Sequence, residues 1–274
     1  MVGNSRLHWA WFQGTNLRLV WHVPHAAQQA MAELIDRQLE FKPVIEQWLE
    51  RGDITPEIAD ELARIPPALP LWYASVVPSQ TPVWQQYVQL HRITLEQVPL
   101  AGQYPTLGID RALALWGAMA AYGAPCLVID AGTALTLTGA DRSGQLVGGA
   151  ILPGLRLQFQ SLFEHTAALP ALSSEWQRPI SRWATNTIES IQSGVFYTVL
   201  AGLQDFITAW QSEFPQSAIV LTGGDASQLI PGLTQLQRSI DPSHWVIQLD
   251  RDLIFRGICR VWQEQDGSTI SKGL

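Results

Sequence analysis

Polar and apolar positions alternate over Val2–Phe12, break at Gln13-Gly14-Thr15-Asn16, and alternate again over Leu17–Val23. A period of two interrupted by a glycine turn predicts a β-hairpin at the front of the chain. Residues 26–51 read as a helix or helix pair interrupted near Pro43. TPEIADELARI (55–65) predicts a helix with Thr55 as N-cap and Pro56 in its first position, ended by Pro66, Pro67 and Pro70. A short apolar strand is predicted over Leu71–Val77, stopped by Pro78, then a helix over 81–90 and an extended stretch over 92–98. The polar loop Tyr104–Arg111 runs into a helix, ALALWGAMAAYG, that starts at Arg111. Strands follow at Cys126–Ile129, Ala134–Thr138 and Gln145–Ala150, joined by turns at Asp130–Thr133 and Asp141–Gly144. GGAILPG (148–154) ends this hairpin and opens a helical second half. A late strand, Ala218–Leu221, runs into Thr222-Gly223-Gly224-Asp225, and the tail after Gln263 is expected to fray.

One arrangement occurs twice: a strand, a turn of glycine with Asn, Ser or Thr, then an alternating hairpin. The first copy starts at Gly3-Asn4-Ser5 and the second at Asp130-Ala131-Gly132-Thr133. This predicts an internally duplicated α/β chain, with lobes over 1–100 and 101–274. The 274 residues are 47% hydrophobic and 15% charged, enough apolar material for a sizeable core. A net charge of −7 without a basic stripe argues against a nucleic-acid partner. It leaves anionic ligands open, because backbone amides and bound metal can carry phosphate contacts. Cys126 and Cys259 form no CxxC or Cys/His cluster and read as buried free thiols of a reducing cytoplasm. No apolar run reaches the length of a membrane span, and no secretory signal is expected.

The duplicated turns carry the chemistry. Glycine lets backbone N–H groups approach phosphate oxygens, and a neighbouring Asn, Ser or Thr adds side-chain donors. Gly3-Asn4-Ser5-Arg6 and Gly132-Thr133 have this composition; each by itself is equally a tight β-turn. Asp130, ending an apolar strand, can hold a cation or cap its own turn. Asp110 can cap the helix that follows or take a proton from a hydroxyl that attacks a phosphate. Arg111 suits a carboxylate or phosphate clamp, or a surface charge. Gly223-Gly224-Asp225 can let backbone lie against a nucleotide or simply join strand to helix. His8, His22, His25, His91, His165 and His244 show no ligand spacing. GxxxxGK[ST], GxGxxG and GxSxG are all absent, which excludes a P-loop and argues against a dinucleotide fingerprint or a nucleophile elbow.

In order and spacing, the chain from about residue 2 to 258 resembles the type III pantothenate kinases of the actin-like and sugar-kinase superfamily. The residues that carry this are Ser75-Val76-Val77-Pro78, Gly108-Ile109-Asp110-Arg111, Asp130-Ala131-Gly132-Thr133-Ala134-Leu135-Thr136, GGAILPG, Thr185-Asn186-Thr187 with Ser193-Gly194, and Thr222-Gly223-Gly224. The resemblance implies two actin-like (ribonuclease H-like) lobes with ATP in a central cleft, a homodimer, and phosphorylation of pantothenate to 4'-phosphopantothenate, the first step of coenzyme A synthesis. It implies Asp110 as the catalytic base. Gly108, Ile109 and Arg111 match the pantothenate loop, with Tyr104 and Thr187 as further substrate contacts. Gly3, Asn4, Ser5, Arg6 and Thr133 match ATP contacts. Asp130 matches a ligand for a monovalent cation, potassium or ammonium, and magnesium is implied with ATP.

The first phosphate motif departs from the family's Asp-x-Gly-Asn-Thr. It reads Met1-Val2-Gly3-Asn4-Ser5, so the acidic position falls on Met1, either because the chain starts late in a first strand or because the aspartate is absent. Three readings stay open: the active kinase, a binding protein of the same fold without catalysis, and a kinase or phosphatase for another small molecule.

Overall fold

The first hairpin forms because Trp9 and Trp21 stand opposite each other on one face and cannot both be covered unless the strands pair. The computed structural model describes residues 1–26, 28–166, 168–172, 180–240 and 246–270. His244 and the last four residues of the tail lie outside the described residues. The chain divides into two compact units that are not contiguous in sequence. One comprises Met1–Pro99, Tyr104–Gly117 and the chain from Ile254 on; the other comprises Leu100–Gln103 and Ala118–Leu253. The sequence expectation places a single boundary near residue 100.

In the first unit, β1 (Arg6–Gln13) and β2 (Asn16–Pro24) pair antiparallel with Trp9 opposite Trp21. Gly14, at φ +58°, makes the turn. The two indoles lie parallel at 5.7 Å, and Phe41 sets its edge on both, at 5.5 and 5.4 Å. Three helices follow: α1 (Gln28–Asp36), α2 (Lys42–Glu50) and α3 (Pro56–Leu62). Pro43 does not break a helix. It lies in the first turn of α2, where a missing N–H costs nothing, and the break comes earlier, at Gln38 and Leu39 with positive φ. In α3, Thr55 accepts from the Ile58 N–H as expected.

β3 (Leu71–Tyr73) is followed by a single helical turn, α4 (Thr81–Trp84), and by β4 (Leu90–Arg92), parallel to β3. The helix expected over 81–90 stops early because Tyr87 turns inward and donates its hydroxyl to Leu69 O at 2.6 Å. The stretch 92–98, expected extended, contains a 3-10 turn at Leu95–Gln97. Its capping box has Gln97 accepting from the Thr94 N–H at 2.8 Å. Helix α5 (Ile109–Tyr122) contributes Ile109–Gly117 to this unit.

In the second unit, β5 (Cys126–Ala131), β6 (Ala134–Ala140) and β7 (Leu146–Pro153) form an antiparallel meander. After α6 (Leu155–Glu164) and α7 (Thr187–Glu213) comes β8 (Ala218–Thr222), parallel to β5. Helix α8 (Ala226–Ile240) leads to β9 (Ile247–Leu249), giving the order β7-β6-β5-β8-β9. The buried face of α7 recurs every four residues (Ile191, Val195, Val199, Leu203, Ile207) and packs in the core with Leu127, Ile129, Leu135, Leu137 and Leu221 of the sheet.

The last helix, α9 (Leu253–Ile270), returns to the first unit, where Gly257 approaches Leu113 so closely that a Cβ would lie 2.8 Å from the Leu113 carbonyl carbon. It therefore continues well past Gln263, where fraying was expected.

The duplication is visible in the ladders. Val2 bridges Leu7 antiparallel and Ser75 parallel, so β2-β1-Val2-β3-β4 repeats the order β7-β6-β5-β8-β9. Both cysteines are free and buried. Burial pushes the Cys126 thiol up to about 12, which keeps it protonated and unreactive. Among the described residues, no helix is long and apolar enough to cross a membrane.

Candidate functional site

In the second unit, β5 and β8 are parallel neighbours, so the loops leaving their carboxyl ends emerge side by side. Open α/β sheets bind ligands at that edge. Asp130, next to last in β5, is half-buried there. The Gly132 N–H donates to Ala134 O at 3.2 Å and closes a tight turn that carries Thr133. Gly154, which opens α6, donates its N–H to Thr133 O at 3.0 Å; a Cβ on it would run into the Gly132 carbonyl and lie 2.6 Å from Thr133 O. Gly223, at φ +92°, has no room for a Cβ, which would sit 2.5 Å from Ala131 O and from Asp130 Oδ1. Gly132 and Gly223 thus keep bare backbone beside the Asp130 carboxylate, and Gly154 does so beside the Gly132–Thr133 turn.

Asp225 donates its N–H to Ala131 O at 2.9 Å. Burial holds its carboxyl above the ordinary range, and the Arg156 guanidinium partly offsets this. No motif points to Arg156; only the fold of α6 brings its charge to this edge. The half-buried Asp130 carboxylate is an oxygen donor of the kind a hard cation takes. Among the described residues, no group of three His, Cys, Asp or Glu could hold a metal ion.

In the first unit, the Gly3 N–H donates to Arg6 O at 3.1 Å, which makes the matching turn one residue longer. Asn4 and Arg6 are exposed on it and Ser5 is half-buried. The turn is held from behind. The Gln80 amide bonds His25 Nδ1 at 2.8 Å, and His25 Nε2 bonds Gly3 O at 2.9 Å. With Nδ1 accepting, Nε2 carries the proton and donates. His8 lies beneath Gly3, with its Nδ1 3.0 Å from His22 Nδ1. Burial, and then the neighbouring His22, push His8 down to about 3, so it adds no positive charge at neutral pH. The histidines are structural here. Met1 stands where the second turn has Asp130.

Helix α5 begins at Ile109, so Asp110 lies in its first turn and does not precede it. Asp110 Oδ1 accepts from the Arg111 N–H at 2.8 Å. Burial raises the Asp110 carboxyl above its ordinary range, against the lowering by that N–H and by the Arg111 charge. Arg111 is buried, not a surface charge, and its Nη1 donates to the Tyr104 hydroxyl at 2.9 Å. A Cβ on Gly108 would collide with Asp110 Oδ1. The fold thus gathers Tyr104, Gly108, Ile109, Asp110 and Arg111 at one helix start, where the positive end of the dipole faces the carboxylate.

Thr187 belongs to the second unit. It is exposed at the start of α7, where Asn186 Oδ1 caps by accepting from the Glu189 N–H at 2.9 Å. The chain leading to it is tied to α7 by Ser193 Oγ donating to Arg182 O at 2.8 Å, and by Tyr197 OH donating to Ile180 O at 2.8 Å. By unit, Gly3–Arg6 and Tyr104–Arg111 go together, as do Asp130, Thr133 and Thr187.

Two solved structures share the fold. A putative Baf family transcriptional activator from Campylobacter jejuni matches with a TM-score of 0.55 at 17% identity, covering 97% of both chains. An activator of 2-hydroxyisocaproyl-CoA dehydratase from Clostridium difficile matches at 0.51 and 10%, over 100% of this chain and 96% of that one. At such identities the likeness concerns fold alone: a duplicated α/β protein of the actin-like kind. The sequence model of the type III pantothenate kinases matches residues 2–209. The type III pantothenate kinase of a Nostoc species is 47% identical over 239 residues, 86% of this chain and 84% of that protein. That of a Synechococcus species (strain JA-3-3Ab) is 43% identical over 263 residues, 95% and 90%. The chain belongs to the type III pantothenate kinase family.

Proposed function

We propose that this chain is a phosphotransferase that moves the γ-phosphate of ATP to the terminal hydroxyl of pantothenate, giving 4'-phosphopantothenate and ADP, the first step of coenzyme A synthesis. The observation that carries the residue roles is the half-buried Asp110 carboxylate at the α5 N-terminus, with its pKa raised by burial. A base with a raised pKa accepts a proton more readily. In this reading the hydroxyl oxygen attacks the γ-phosphorus, the bond to the β-phosphate oxygen breaks, and Asp110 takes the hydroxyl proton. Arg111, aimed by Tyr104, supplies the charge that clamps an anionic group on the substrate. Gly108, Ile109 and Thr187 complete the pantothenate contacts. Gly3, Asn4, Ser5, Arg6 and Thr133 supply phosphate donors. Asp130 holds a monovalent cation, potassium or ammonium. ATP chemistry in this family implies a divalent cation, normally magnesium, which neutralises phosphate charge. We further assign the protein to the cytoplasm.

The test is ADP release by the purified chain with ATP, magnesium and potassium, with and without pantothenate. The expected result is release that requires pantothenate and falls when sodium replaces potassium. Release unaffected by sodium would remove the monovalent-cation role. The alternative is a binding protein without catalysis; saturable ATP or pantothenate binding without any ADP release would select it. The homodimer is proposed from the family. Light scattering should give twice the 30.4 kDa chain mass, and a mass of 30.4 kDa at micromolar concentration would refute it.

A further inference from the structure

The two glycine turns are braced differently. In the second unit a backbone group does it: Thr133 O accepts from the Gly154 N–H at 3.0 Å. In the first unit two successive carbonyls are held, and both bonds lead back to the loop that leaves β3. Val2 O accepts from the Val76 N–H at 3.0 Å. Gly3 O is 2.9 Å from His25 Nε2, and the Gln80 side-chain amide is 2.8 Å from His25 Nδ1. Gln80 closes the 3-10 turn Pro78–Gln80, so the Ser75-Val76-Val77-Pro78 segment delivers it. That segment is stiffened at Ser75, whose Oγ accepts from the Val77 N–H at 3.0 Å.

The direction of this relay is fixed from its carbonyl end. A carbonyl oxygen can only accept, so His25 Nε2 carries the ring proton. In the neutral ring Nδ1 is then an acceptor, and Gln80 turns its NH2 group toward it.

What the relay fixes is a peptide plane. The Gly3–Asn4 bond is trans. In a planar trans peptide the carbonyl and the following N–H point in opposite directions. Drawing Gly3 O toward His25 therefore turns the Asn4 N–H away from it. Asn4 is exposed, and among the described residues nothing accepts from its N–H. A glycine on the amino side leaves this plane little intrinsic resistance to rotation, so the brace decides where the N–H points.

We propose that His25 and Gln80 are positioning residues for ATP: they hold the Gly3–Asn4 peptide so that the Asn4 N–H donates to a phosphate oxygen. Neither side chain does chemistry. Gln80 acts through His25, and His25 through the turn. The assignment rests on the ATP reading above.

The test is ADP-release kinetics on the full chain with ATP, magnesium and pantothenate, for wild type, His25→Ala, Gln80→Leu and the double variant, each with a thermal melt. His25→Ala is expected to raise KM for ATP about 10-fold, the order of one charge-assisted hydrogen bond, with kcat and KM for pantothenate near wild type. Gln80→Leu should shift KM for ATP the same way by about 3-fold, because the ring loses what selects its tautomer. The double variant should match His25→Ala, since Gln80 reaches Gly3 O only through His25. His25→Gln, which keeps an amide N–H at similar reach, should restore KM for ATP. A merely structural pair would give additive losses of Tm, no rescue by His25→Gln and a shifted KM for pantothenate; that pattern would overturn the proposal. So would an unchanged KM for ATP in His25→Ala. Should His25→Ala not fold, Gln80→Leu decides, and a wild-type KM for ATP there overturns it. Wild-type turnover tests the ATP reading and the variants test the relay, so the two fail separately; a wild type that neither turns over nor binds ATP overturns both.

Discussion

Asp110→Asn is expected to lower turnover by about 10²–10⁴-fold, the usual worth of a general base, while KM for ATP stays near wild type. Asparagine keeps the shape and can still accept from the Arg111 N–H, so the start of α5 should survive. What it loses is the ability to take a proton. The same variant should be no less stable at neutral pH, and this separates loss of chemistry from loss of fold. Burial raises the folded-state pKa of Asp110, so the folded protein keeps that proton to a higher pH than the unfolded chain does. The ionised form therefore costs stability once pH rises through the folded pKa, and the cost disappears below the ordinary aspartate value near 3.9. Wild type and variant should converge in melting temperature in acid, and the variant should match or exceed wild type at pH 7. Turnover at the wild-type level would remove Asp110 from the mechanism; a collapsed melting temperature at pH 7 would show its role to be structural.

The second large effect is expected from Gly154→Ala. The backbone of Gly154, at φ −65° and ψ 170°, is open to any residue, so the glycine is not there for its angles. It is there because a methyl group would press on the carbonyls of Gly132 and Thr133. Those are backbone atoms of the turn proposed to bind phosphate, and they cannot swing aside as a side chain can. The substitution should cost about 1–3 kcal/mol of stability and raise KM for ATP by displacing Thr133. Gly202→Ala is the control. Gly202 lies inside α7, where a Cβ meets nothing within 4 Å, and the change should stabilise by about 1 kcal/mol. Paired thermal melts and ATP titrations test both. An unaltered ATP KM in Gly154→Ala would detach this turn from nucleotide binding.

The first hairpin, the β5–β6–β7 meander and the capped start of α3 are legible from local pattern, because each forms from neighbours in sequence. The same holds for the two glycine turns and for the helix that follows Gly108, although it starts at Ile109 and so takes in Asp110. The helix expected over 81–90 fails because the pattern does not tell that Tyr87 turns inward to Leu69. The two units are not legible either, since their membership depends on contacts between distant stretches such as Gly257 and Leu113.

The chain's order of polar and apolar residues thus determined the elements, the duplication and the residue types at the candidate site. Tertiary structure decided the environments. It placed Arg156 beside Asp225, buried Asp110 enough to raise its pKa, and made Gly154 obligatory by close approach. It also brought His8–Phe12 and Leu69–Trp72, more than 50 residues apart in sequence, to the wall of one cavity. A side chain's identity is local, but its solvation, its charged neighbours and the room around it are set by whatever the fold packs against it.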